Sequence, residues 1–91
     1  MDAHVYRVDV PRDIVLNPVE ALLYQLSEGC GLICIPLLVD RYLDFVYKYQ
    51  QEYRKYTTDR RAVGNSVERL VEMGYLQKIS GKAVSRFIGI S

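Results

Sequence analysis

Apolar and polar side chains alternate at the start of the chain. In His4-Val5-Tyr6-Arg7-Val8-Asp9-Val10 the valines keep the two-residue period of a strand, and Pro11 stops the run, so the segment predicts a short strand suited to a sheet edge. Asn17-Pro18 then starts a helix, because Asn caps free amide groups and Pro is pre-set for the first helical position. Val19, Leu22, Leu23 and Leu26 recur at helical spacing until Gly29 ends the run. Gly31 to Ile35 is short, apolar and β-branched, which suits a buried connector or a short strand. Pro36 opens the longest helical pattern. Val39, Tyr42, Leu43, Val46, Tyr49, Tyr53 and Tyr56 form one stripe, predicting a second helix over Pro36 to Tyr56. Thr57-Thr58-Asp59 breaks it and caps a third helix, whose stripe is Val63, Val67, Leu70 and Val71 and whose end is Met73-Gly74. Two β-rich runs, Tyr75 to Ile79 and Ala83 to Ile90, flank Ser80-Gly81-Lys82 and read as a hairpin.

Length and composition narrow the class. Ninety-one residues are too few for two independent cores, so one domain over residues 1–91 is expected, and 49% hydrophobic with 25% charged residues is ordinary for a soluble fold. No apolar run reaches the roughly 18 residues that span a bilayer, and the first ten residues lack the basic start of a signal peptide, so a cytoplasmic protein without a membrane partner is expected. The formal charge of +1 hides an asymmetry. Up to Tyr47 there are three basic and seven acidic residues, and from Lys48 on there are nine basic and four acidic, so a surface for a polyanion belongs to the second half.

Helix, short strand, helix, turn, helix and basic-tipped hairpin together resemble the winged helix-turn-helix family. The likeness is sharpest over Thr58 to Ile90, where Val63-Gly64-Asn65-Ser66-Val67-Glu68-Arg69-Leu70-Val71-Glu72-Met73-Gly74-Tyr75-Leu76 looks like an amphipathic recognition helix closing on a Gly and an aromatic-aliphatic pair. The resemblance covers the chain from Asn17 on, and it implies an α+β fold of three helices with a C-terminal β-hairpin wing and a short N-terminal strand. Small size, many tyrosines and no tryptophan also look like winged-helix proteins of archaeal viruses or plasmids. The strand before the first helix and the length of the second helix depart from the family pattern.

The resemblance implies a sequence-specific double-stranded DNA-binding protein that regulates transcription as a homodimer, with the third helix in the major groove and the wing on the backbone or minor groove. Arg61, Asn65 and Arg69 form an i, i+4, i+8 ridge of side chains able to fork onto guanine or adenine edges. Arg60 at the helix edge, and Lys78, Lys82 and Arg86 around Gly81, are placed for phosphates or the minor groove. Glu68 and Glu72 would have to lean away. Tyr42, Val46, Tyr49 and Tyr53 are either the outer part of this domain's own core or a dimer seam. In the alternative function, a protein-interaction or RNA-binding module, that tyrosine stripe is the contact surface. Gly64 costs its helix about 1 kcal/mol relative to Ala, and close packing against the second helix is favoured over close approach to DNA as the reason for it. Cys30, Cys34 and the lone His4 are too few for a four-ligand zinc site, and the cysteines read as buried thiols, a disulfide or a redox switch. No nucleophile-base pair or phosphate loop is visible, so neither an enzyme nor a cofactor is expected.

Overall fold

Two of the helices start on capping side chains. The computed structural model describes residues 3–8 and 15–79, and its first helix, α1 (Pro18–Leu26), starts on a reciprocal cap. Asn17 Oδ1 accepts from the Glu20 amide at 2.8 Å, and Glu20 Oε1 accepts from the Asn17 amide at 3.1 Å. The helix α2 (Ile35–Lys48) has Pro36 in its first turn, and α4 (Arg60–Glu72) is capped by Asp59, which accepts from the Arg61 amide at 3.1 Å. At the end of α4, Gly74 takes φ 84°, and the amides of Gly74 and Tyr75 donate to the carbonyls of Val71 and Leu70. That wrap needs a left-handed residue, hence glycine, and it turns Tyr75 into the core.

The predicted second helix does not run unbroken to Tyr56. It ends at Tyr49 (φ −114°, ψ 38°), and a separate turn, α3 (Gln50–Tyr53), follows, so the described residues hold four helices where the pattern predicted three. Lys48, Gln50, Gln51 and Glu52 are exposed and give a straight helix nothing to pack on. Ten more ångströms of straight helix, at about 1.5 Å per residue, would carry Tyr53 and Tyr56 away from the domain. The bend instead packs rings edge to face or tilted: the Phe45 ring centre lies 4.9 Å from that of Tyr49 and 5.1 Å from that of Tyr53, and those of Tyr53 and Tyr56 are 4.9 Å apart.

Three strands form one antiparallel sheet in the order β2-β1-β3. The strand β1 (His4–Arg7) pairs on one side with β2 (Ile33–Cys34), through His4 opposite Cys34, and on the other with β3 (Leu76–Ile79), through His4 opposite Ile79 and Arg7 opposite Leu76. The expectation of an edge strand is therefore corrected: β1 is central. Its length misleads, because the two partners that cover its edges lie about 30 and 70 residues away and leave no mark on its own pattern. The hairpin turn at Gly81 and its second arm lie outside the described residues.

The helices α1, α2 and α4 pack on one another, with Val5, Leu22, Leu23, Ile33, Leu38, Val39, Tyr42, Val46, Val63, Val67, Leu70, Tyr75 and Leu76 as one buried cluster. This is a small α+β domain. Tyr42 is 0% exposed and donates its hydroxyl to the Thr57 carbonyl at 2.9 Å, which pins the loop before α4 to the core. No helix among the described residues is long and apolar enough to cross a membrane.

Candidate nucleic-acid interface

The inner face of α4 is apolar and fixed: Val63, Val67 and Leu70 are all buried. The 3.6-residue period then forces Arg61, Asn65, Arg69 and Glu72 outward, and all four are exposed. Successive members of the Arg61, Asn65, Arg69 row are about 6 Å apart along the axis, one turn each. Among the described residues the side chains of Arg61 and Asn65 make neither a hydrogen bond nor an ion pair, and both lie in the N-terminal half of the helix.

The other cations of the expected site are not free. Arg60 is ion-paired with Asp40, which ties the start of α4 to α2. Lys78 lies 2.9 Å from Glu68, so β3 is tied back to α4 and the carboxylate that would have faced a polyanion is neutralised. Both pairs are half in water, where such a bond contributes about 0 to 1 kcal/mol, and either cation can exchange its carboxylate for a phosphate at small cost. Arg69 differs. Its Nε sits 2.6 Å from Oε2 of Glu20, a carboxylate only 2% exposed, while the Arg69 side chain is itself 64% exposed. Arg69, expected as a base reader, therefore has its Nε engaged by Glu20, because a carboxylate buried in the first turn of α1 needs a donor beside it. Lys82 and Arg86 lie outside the described residues.

The tyrosine stripe divides between inside and outside. Tyr42 and Val46, at 0% and 3% exposed, belong to this domain's own core and cannot offer side chains to a second copy. Burial, and after it the neighbouring Tyr56, pushes the Tyr42 phenol above its ordinary pKa. Tyr49 is 39% exposed and Tyr53 is half-buried in the ring cluster. Tyr47, which lies off the helical stripe and was not singled out by it, is the most open aromatic among the described residues at 60%. Lys48 stands 5.6 Å over the Tyr49 ring.

Gly64 is not there for packing. A Cβ built on it meets nothing within 4 Å and its φ is an ordinary helical one, which corrects the expectation of close contact with the second helix. We expect Gly64→Ala to stabilise the protein by about 0.5 to 1 kcal/mol through helix propensity alone, measured as a shift of the urea midpoint without a change of slope. A loss of stability would show that the helix surface there is not open.

Two features gave no sequence signal. One is the Glu20–Arg69 pair, which joins positions 49 residues apart; the Asn17-x-x-Glu20 spacing marks the cap but not the second bond of the same carboxylate. The other is a groove of about 350 Å³ lined by Arg7, Leu16, Tyr24, Glu28 and Tyr75. There the Arg7 guanidinium lies 4.1 Å over the Tyr24 ring and 3.2 Å from Glu28, and Tyr24, with Glu28 adding to it, holds Arg7 above its ordinary pKa against the opposing effect of burial. Cys30 and Cys34 are free, half-buried thiols, and Cys30 Sγ accepts from Arg41 at 3.2 Å. Among the described residues no group of three or more His, Cys, Asp or Glu is placed to hold a metal ion.

Compared with protein-family models, with curated proteins and with solved structures, the chain matches none of them.

Proposed function

We propose that this chain is a winged helix-turn-helix protein that binds duplex DNA, with α4 in the major groove, and that it regulates transcription in the cytoplasm. The observation that carries the reading is the pair Arg61 and Asn65: two base-reading side chain types, one turn apart, uncommitted, on the leading half of a helix whose opposite face is locked into the core. The bare surface at Gly64 beside them fits close approach of a ligand better than it fits packing. Arg60 and Lys78 serve as phosphate anchors once released from Asp40 and Glu68, and Lys82 and Arg86 extend the wing. A homodimer on this reading uses the open part of the ring cluster, Tyr49 with Tyr53 and Tyr47, to set two α4 helices about 34 Å apart. No catalytic step and no cofactor is part of it.

A titration of duplex DNA at several salt concentrations tests the proposal. Affinity should fall as salt rises, with a log-log slope of about 0.9 per phosphate contact. Arg61→Ala and Asn65→Ala should each cost about 1 to 3 kcal/mol on a selected site and little on random duplex, whereas Arg60→Ala should weaken both alike. Equal losses on selected and random DNA from all three would sink base reading by α4. A second reading, single-stranded RNA on the tyrosine cluster, is favoured by the open rings of Tyr47 and Tyr49 beside Lys48. It predicts that single-stranded RNA outcompetes duplex DNA and that Tyr47→Ala, rather than Arg61→Ala, abolishes binding.

A further inference from the structure

We propose that Glu20 is a positioning residue that presets Arg69 as a two-pronged donor for a guanine edge. The inference rests on the duplex DNA reading and adds to it a residue from α1 that no groove contact would reveal. Glu20 is held on both oxygens: Oε1 accepts from the Asn17 amide and Oε2 from Arg69 Nε. The carboxylate is 2% exposed and part of the α1 cap, so its place is set by the helix start and not by Arg69. An arginine can grip a planar acceptor pair side-on, through Nε and one terminal nitrogen, or end-on, through both terminal nitrogens. With Nε occupied, only the end-on mode is left. Among the described residues neither terminal nitrogen of Arg69 makes a hydrogen bond, and the side chain is 64% exposed. A free surface arginine would have to be ordered on binding; this one is ordered beforehand. Its charge is also balanced by Glu20, so Arg69 contributes direction and donors more than long-range attraction, which suits a base edge better than a phosphate.

Selection from a randomised duplex library, followed by affinity measurements on the selected and on random sequences, tests this with the full chain. Gln at position 20 keeps the reciprocal cap, since a capping box accepts Glu or Gln, but lets go of the charged grip on Arg69. Arg69→Lys keeps a cation beside Glu20 and removes the fork. We expect Arg69→Lys to lose at least about fivefold on the selected duplex, and Glu20→Gln about two- to tenfold, with a guanine preference weakened at one and the same base position in both. Random-duplex affinity should be unchanged, a readout that a merely structural role for Glu20 would not spare. Arg61→Ala should blunt preference at a different position. Thermal melting shows whether Glu20→Gln is folded; if it is not, Arg69→Lys decides, because it must lose guanine preference at a position Arg61→Ala leaves intact. The inference is overturned if folded Glu20→Gln selects the wild-type sequence at wild-type affinity, or loses affinity equally on all duplexes. If Arg61→Ala blunts selection while both other variants do not, the positioning role alone fails. If the wild-type protein selects no sequence at all, the DNA reading fails with it.

Discussion

Tyr42→Glu should leave no cooperatively folded protein, whereas Tyr49→Glu should fold and lose no more than about 1 kcal/mol. The two positions are seven residues apart on one apparent stripe, and the sequence treats them alike. Tyr42 is fully buried with its hydroxyl on the Thr57 carbonyl, so a carboxylate there has neither water nor a cation. The cost of several kcal/mol for an unpaired buried charge is comparable to the whole stability of a domain this small. Tyr49 is 39% exposed, and its change removes one tilted ring contact with Phe45 while placing a carboxylate beside Lys48. Circular dichroism and urea titration of the two variants decide the matter, and sedimentation of Tyr49→Glu reports whether that edge is a dimer seam. Two folded variants would show that Tyr42 is not core. A pH dependence follows from the same phenol. Its folded pKa is raised above the unfolded value near 10, so its contribution is fully present below pH 10 and is lost as pH rises through the folded pKa. Above pH 10 the unfolded chain gives up the proton first, and stability should fall by up to about 1.4 kcal/mol per pH unit from this group. Tyr42→Phe should flatten that part of the alkaline limb.

Arg69→Ala should destabilise the protein by about 2 to 4 kcal/mol, the largest effect expected of any exposed residue here. The reason is the partner and not the arginine: removing the cation leaves the Glu20 carboxyl group 2% exposed and short of one hydrogen bond. Because the arginine side is open to water, which can reach the pair, the lower half of the range is favoured over the full penalty of a sealed pair. Glu20→Gln in the same chain should recover part of the loss, giving a coupling energy of about 1 to 2 kcal/mol in a double-mutant cycle. Arg60→Ala and Lys78→Ala break ion pairs that are open to solvent on both sides, and each should cost less than about 1 kcal/mol. Equal losses at Arg60, Arg69 and Lys78 would mean that the burial of Glu20 does not govern the pair.

Everything that depends on near neighbours was legible in the chain. Asn17-Pro18 and Asp59 cap helices because a side chain reaches amides two or three residues on, and Gly74 ends α4 because a left-handed residue closes the last turn. The stripe Val63, Val67, Leu70 is core because a helix has one period, and the same period puts Arg61 and Asn65 outside. Contacts between distant segments carry no such period. Nothing in Val5 to Val8 says that two strands flank it; nothing at Arg69, Arg60 or Lys78 says that Glu20, Asp40 and Glu68 wait across a helix or sheet junction. The stripe from Tyr42 to Tyr56 shows why a period is not a surface. It assumes a straight helix, and the break at Tyr49, set by where the domain's apolar mass ends, sends Tyr42 and Val46 inward and leaves Tyr49 at the rim. The sequence by itself determined where α1 and α4 start and stop, the inner faces and the side chains turned outward, since these follow from local hydrogen bonding and periodicity. Only the tertiary structure decided which strand is central, which tyrosines are core and which cations are already paired, since these follow from packing between segments about 10 to 70 residues apart.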